Sequence, residues 1–347
     1  MKVTRRSFLA SATAATAPLF LGATDKPGSD LPVLGDGDHL YEAIHDWGEL
    51  PVTIRYGNTH GVCEDSQGHI YIHHTVHATS ESLDTMVVFD ERGKFVRSWG
   101  KQFKGGAHGL MLRKEGSEEF LYLCDYEHGI VSKRTLKGEE VFTLGYPAES
   151  DAYKQKKEGM VPYRPTNVAI APSGDIYVGD GYGSSYINQY TPNAQFVRTF
   201  GGVGKDAGQL DCPHGLWVDT RSEPAVIVVA DRSNSRLQRF TLDGKHIDFI
   251  PGTTKMPCNF HERNGEVVIP DLLSSVVVLD RHNQVVARLG KGEYSKEDWR
   301  TVRESAPRTF APGRFVCPHG ACFDHLGNIF VVEWVEAGRV TKLRKLS

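Results

Sequence analysis

The chain has 347 residues, with 40 Lys and Arg against 43 Asp and Glu and a formal net charge of −3. A balance this near neutrality, with basic residues scattered along the chain, excludes the concentrated positive footprint of a nucleic-acid binder. Thirty-six glycines among many Val, Ile, Tyr and Phe residues point to short strands joined by tight turns.

In chain order, the first signal is Arg5-Arg6-Ser7-Phe8-Leu9 followed by an alanine-rich run to about Ala23. A short basic segment, an apolar stretch too short to span a bilayer and then small residues read as a twin-arginine export signal. Residues 1–30 are therefore expected to be a signal peptide with a short linker, and 31–347 a single domain working in the periplasm or outside the cell. No later segment is apolar enough to cross a membrane. Six cysteines, none in a Cys-x-x-Cys pair, permit disulfides in an oxidising compartment without fixing their connectivity.

A repeat then governs the rest. A small-residue or proline-led segment recurs around Asn58-Thr59-His60-Gly61, Gly106-Ala107-His108-Gly109, Arg164-Pro165-Thr166-Asn167, Cys212-Pro213-His214-Gly215, Met256-Pro257-Cys258-Asn259 and Cys317-Pro318-His319-Gly320. The spacing of roughly 40–60 residues is that of propeller blades. Each copy leads into a strand, a turn and a second strand ending near an acidic residue, as in Val226-Ile227-Val228-Val229-Ala230-Asp231. Fourth strands recur as Phe95-Val96-Arg97-Ser98-Trp99 and Phe196-Val197-Arg198-Thr199-Phe200. The last copy stops after a third strand near Leu343, and a matching fourth lies at Tyr41–Gly48. The fold class expected is all-β: a six-bladed β-propeller closed by an N-terminal strand that completes the last blade and covers its exposed edge. Two insertions, 146–163 and 291–315, are expected on the face where the first strands begin.

First strands line the channel of a propeller, so equivalent positions form a ring. That ring reads His60, His108, Thr166, His214, Cys258 and His319. Converging neutral imidazoles suit Zn²⁺ or a similar borderline metal, with a position left open for substrate. His108, His214 and His319 are the expected ligands, with His60 and Cys258 as additional candidates. A second ring, near the ends of the second strands, holds His73, His74, Asp125, Tyr126, Asp180, Tyr182, Asp231, Arg232, Asp271, Glu333 and Trp334. Its acidic members are expected to accept backbone N–H groups. Arg232 suits a bidentate contact to a carboxylate, and His74 and Arg232 are expected to bind substrate. A structural Ca²⁺ is a further expected cofactor.

Pro213-His214-Gly215-Leu216-Trp217-Val218-Asp219, with Val229-Ala230-Asp231-Arg232 and Leu237-Gln238-Arg239-Phe240, resembles the NHL repeat. Within that group the chain from about Gly57 is similar to the catalytic core of peptidyl-α-hydroxyglycine α-amidating lyases. The resemblance implies zinc held by His108, His214 and His319, a catalytic tyrosine at Tyr182, an arginine at Arg232, and cleavage of a peptidyl-hydroxyglycine to an amidated peptide and glyoxylate. The chain departs from the family at three places. His73-His74-Thr75 stands where the family has an arginine, Gly183 where it has a cysteine, and His60 is an extra ring histidine. The function expected is an exported metal-dependent carbon–nitrogen lyase acting on a small molecule or peptide, as a monomer, without nucleic-acid or membrane partners. The alternative is a non-catalytic periplasmic propeller that binds a protein, peptide or carbohydrate. A lactonase-like hydrolase fits less well, since carboxylates and amides hold the metal in those enzymes.

Overall fold

The computed structural model describes residues 31–154, 161–273, 275–290, 298–304 and 310–346. The expected signal segment, residues 1–30, and parts of both insertions lie outside the described residues. The regular secondary structure of the described residues is nearly all strand. Six antiparallel sheets follow one another along the chain, and five of them have four strands in sequential order.

The fourth blade shows the plan. Pro213–Asp219, Val226–Asp231, Arg236–Thr241 and His246–Ile250 pair in turn. Its second strand is buried throughout while its fourth alternates toward solvent, which is the burial gradient from channel to rim. The sixth sheet mixes both ends of the described chain. Tyr41–Ile44 pairs with Arg339–Lys345, in the order Val33–Leu34, Tyr41–Ile44, Arg339–Lys345, Ile329–Glu333, Pro318–Phe323.

The core lies between blades rather than within them. One buried cluster joins Ala169, Tyr177 and Ile187 of the third blade to Leu216, Ile227 and Val229 of the fourth. Another joins Val268 and Val276 of the fifth to Ala321 and Ile329 of the sixth, with Tyr41 and Ala43. Each buried aliphatic side chain contributes about 1.5–3 kcal/mol, so neighbouring blades hold one another in register and fix what they present to the axis. All six cysteines are buried thiols, and none is joined in a disulfide.

Candidate metal centre

Four of the six blades break their own ladder at the ring residue. Thr59 pairs with His74 and Gly61 with His73, which leaves His60 unpaired. The same slip passes over His214 between Pro213 and Gly215, and over His319 between Pro318 and Gly320. In the second blade it passes over His108 and Gly109. A bulge of this kind re-aims one side chain out of the pleat, and here it turns each imidazole toward the axis. The third blade has no slip, its first strand pairing regularly from Asn167. Thr166 instead donates its hydroxyl to the Pro213 carbonyl at 3.1 Å.

The glycine after the histidine has a definite steric job. A Cβ at Gly109 would stand 2.4 Å from the Thr166 carbonyl oxygen, at Gly215 2.5 Å from that of Cys258, and at Gly320 2.5 Å from that of His60. Those three carbonyls are the acceptors for the imidazoles. His108 Nδ1 lies 2.6 Å from Thr166 O, His214 Nδ1 2.8 Å from Cys258 O, and His319 Nδ1 3.1 Å from His60 O. A carbonyl can only accept, so Nδ1 carries the proton and Nε2 keeps its lone pair for the axis. Orienting partners of this type accompany metal-ligating histidines.

The four rings meet. Centroids are 4.6 Å apart for His60–His108, 4.5 Å for His60–His319, 4.8 Å for both His108–His214 and His108–His319, and 4.6 Å for His214–His319. All four are buried, none more than 4% exposed. Burial, then in most cases the neighbouring charges, drives His60, His108 and His214 well below the ordinary imidazole value and His319 to about 3. They are neutral donors at any physiological pH. Two groups have ligand atoms within 4.8 Å of one another, His60–His108–His319 and His214–Cys258–His319. The expected pair His108 and His214 thus falls in different groups, because the Tyr182 oxygen stands between them, 3.2 Å from His108 Nε2 and 3.1 Å from His214 Nε2.

Tyr182 is held from the other side by Arg232, whose guanidinium lies 5.2 Å over the ring, with Nη1 3.5 Å from the phenol oxygen. Burial pushes the phenol up to about 12, and the Arg232 charge opposes the rise. Arg232 Nε is buried without a partner, and no described carboxylate pairs with this guanidinium. Cys258, fully buried, places its thiol 3.5 Å from the Met256 carbonyl; burial raises it to about 12, again opposed by Arg232. A cavity of about 370 Å³ opens above His60, Tyr182 and Arg232, walled by Tyr126, Met256, Leu272 and Trp334. Donor set, orientation and neutral state all fit a borderline divalent cation.

The acidic members of the second ring position this site without joining it. Asp180 accepts from Arg164 N at 2.6 Å, Asp231 from Asp211 N at 2.7 Å, Asp271 from Lys255 N at 2.6 Å, and Glu333 from Val316 N. Each carboxylate pins the segment leading to a ring residue two or three places on. His74 corrects the expectation of a substrate contact. It is fully buried, it does not line the cavity, and its Nδ1 accepts from Val76 N at 3.1 Å and Gly57 N at 3.4 Å. It does in the first blade what carboxylates do in the third to sixth. Neither ligand group contains a carboxylate, so among the described residues no cluster of three carboxylates stands ready for the expected Ca²⁺.

Sequence reasoning also missed Arg303. It ends the helix Asp298–Arg303 of the second insertion, stacks 3.9 Å over the Trp334 ring and donates to Asn58 Oδ1 at 2.7 Å. No repeat covers that insertion, so nothing in the pattern signalled it. Tyr153, in the first insertion, likewise reaches the blade-start face, donating to Asp180 Oδ2 at 2.8 Å.

Fold and site together define a six-bladed β-propeller with an imidazole-lined axial centre. No family model matches the chain. Among curated proteins, it is similar to peptidyl-glycine alpha-amidating monooxygenase B of Xenopus laevis, 28% identical over 233 residues, or 60% of this chain and 25% of that protein. It is also similar to peptidyl-alpha-hydroxyglycine alpha-amidating lyase 1 of Drosophila melanogaster, 31% identical over 159 residues, 43% of this chain and 27% of that protein. The matched stretch thus spans about a quarter of each of these relatives, and the resemblance seen in the sequence has relatives of that name behind it. A streptogramin B lyase structure superposes with a TM-score of 0.57 at 12% identity, covering 88% of this chain and 97% of that one, which speaks for the fold. Among the described residues no helix is long and apolar enough to cross a membrane.

Proposed function

We propose that the chain is an exported, monomeric, zinc-dependent lyase that cleaves a peptidyl-α-hydroxyglycine or a similar hydroxy-acid adduct. One observation carries the reading: a phenol lies within 3.2 Å of two buried neutral imidazole nitrogens, under a guanidinium with no carboxylate partner. A general base, metal donors and an anion anchor stand at one point. The lyases among the relatives support the same chemistry.

His108, His214 and His319 would hold the metal, with Nδ1 protons fixed by carbonyls. Zn²⁺ so held supplies Lewis-acid polarisation of the substrate hydroxyl and lowers the proton affinity of a phenol beside it. Arg232, which lines the cavity and pairs with no described carboxylate, receives the substrate carboxylate. Tyr182, as phenolate, takes the proton of the hydroxyl oxygen. That oxygen's electron pair forms the C=O bond as the C–N bond breaks, and Tyr182 returns the proton to the departing amide nitrogen. The products are an amidated peptide and glyoxylate. The apolar walls of Met256, Leu272 and Trp334 limit water around the phenol, so that the Arg232 and metal charges act on it at full strength.

The test is glyoxylate release from a peptidyl-α-hydroxyglycine by the zinc-loaded chain. Tyr182→Phe is expected to lower kcat by about 100-fold or more while zinc binding persists. Absence of glyoxylate with the loaded wild type overturns the proposal.

A further inference from the structure

The tether pattern of the ring has a single exception, at His60. His108, His214 and His319 each turn Nδ1 to the carbonyl of the next ring residue. By that pattern His60 would turn its Nδ1 to the carbonyl of His108. That carbonyl is instead faced by His73 Nδ1, 3.3 Å away. His60 Nδ1 is left facing His319 Nε2, also at 3.3 Å. The steric environment differs in step: the nearest neighbour of a Cβ at Gly61 is the Leu110 side chain, with the His108 carbonyl 3.3 Å away rather than about 2.5 Å.

The separation has a meaning for metal binding. Two imidazole nitrogens on a tetrahedral zinc, each at about 2.0–2.1 Å, stand roughly 3.3–3.4 Å apart. His60 Nδ1 and His319 Nε2 already have that spacing, and with His108 they form one of the two groups whose ligand atoms lie within 4.8 Å of one another.

We infer that His60 is a fourth metal ligand, bound through Nδ1, and that His73 is the positioning residue that frees it by occupying the His108 carbonyl. This rests on the metal reading above and adds a ligand of a different kind. The three tethered histidines ligate through Nε2 and cannot turn without losing a carbonyl. His60 Nδ1 has no carbonyl tether and meets only His319 Nε2, so it is the ligand that yields when a substrate oxygen needs a coordination position. Three tethered imidazoles with one untethered ring combine tight retention with access.

Long-range ¹H–¹⁵N correlation spectra of the ¹⁵N-histidine-labelled, zinc-loaded chain decide the matter. Four metal-bound imidazoles are expected, three through Nε2 and one through Nδ1. The Nδ1-bound signal disappears in His60→Gln, whose zinc is lost to a chelator on the order of 10-fold faster or more. His73→Phe is expected to displace or weaken the same signal and leave the other three unchanged. Three bound imidazoles in the wild type, all through Nε2, overturn the inference and leave the proposed lyase intact. Four bound imidazoles without glyoxylate release do the reverse, and a wild type that binds no zinc sinks both. The wild-type spectrum decides even if a variant fails to fold.

Discussion

The first and fourth blades share one plan and solve it with different side chains. In the fourth, Asp231 accepts from Asp211 N, Asn234, Arg236 and Gln238, all within 3.0 Å, and His214 is locked to the Cys258 carbonyl. In the first, a neutral imidazole, His74, replaces the carboxylate, and a second, His73, replaces the ring histidine at the neighbour's carbonyl. The fourth blade is rigid through charge-assisted bonds. The first is assembled from neutral imidazoles, and its ring residue has no carbonyl tether at Nδ1. The difference teaches that a propeller can tune one ligand of an axial centre by changing what supports it, with the backbone plan untouched.

Acid breaks the comparison most strongly. Burial lowers His73 to about 4, and His74 and His319 to about 3. Unfolded imidazoles take up protons from about pH 6.5 downward. The unfolded state therefore binds more protons across that window, and stability falls as pH drops from about 6.5 toward 3–4. Urea midpoints of the metal-free chain measured across this range should decline steadily. His74→Asn should flatten the slope more than any single change in the fourth blade outside His214.

Next comes the clamp itself. Asp231→Ala strips a buried carboxylate from Arg236 and three other donors, and a loss of about 3–5 kcal/mol is expected by denaturant titration. His74→Ala, which removes only a neutral acceptor, should cost about 1–3 kcal/mol. An equal loss at both positions would refute the contrast between charged and neutral support. The smallest effect sharpens the comparison rather than breaking it. Gly215→Ala forces the Cys258 carbonyl away from the His214 ring and should weaken zinc binding about 10-fold, as loss of an orienting partner does.

Much of this was legible in the sequence. Six repeats gave the blades, and the position before Gly or Asn gave the ring, because equivalent positions of a closed repeat must meet on its axis. Tyr182 stood out as a phenol where the repeat needs only a small residue. The exceptions were not legible. Which carbonyl an imidazole faces depends on rotamers and on residues 35 to 259 positions apart, so the sequence marks His60 as an extra ring histidine without showing that its Nδ1 lacks a carbonyl or that His73 takes that place. His74 was misread because a terminal histidine on a second strand looks like a reaching side chain, whereas its ring takes a carboxylate's place inside the turn. The separation of His108 from His214 by the Tyr182 oxygen is a distance, and no spacing of residues encodes it.

The most direct test is the metal content of the full chain as purified, assayed by elemental analysis together with a zinc titration. One tightly held zinc per chain is expected, absent from His319→Ala, since that imidazole belongs to both ligand groups. A chain that emerges metal-free and takes up no zinc in the titration would contradict the account at its root.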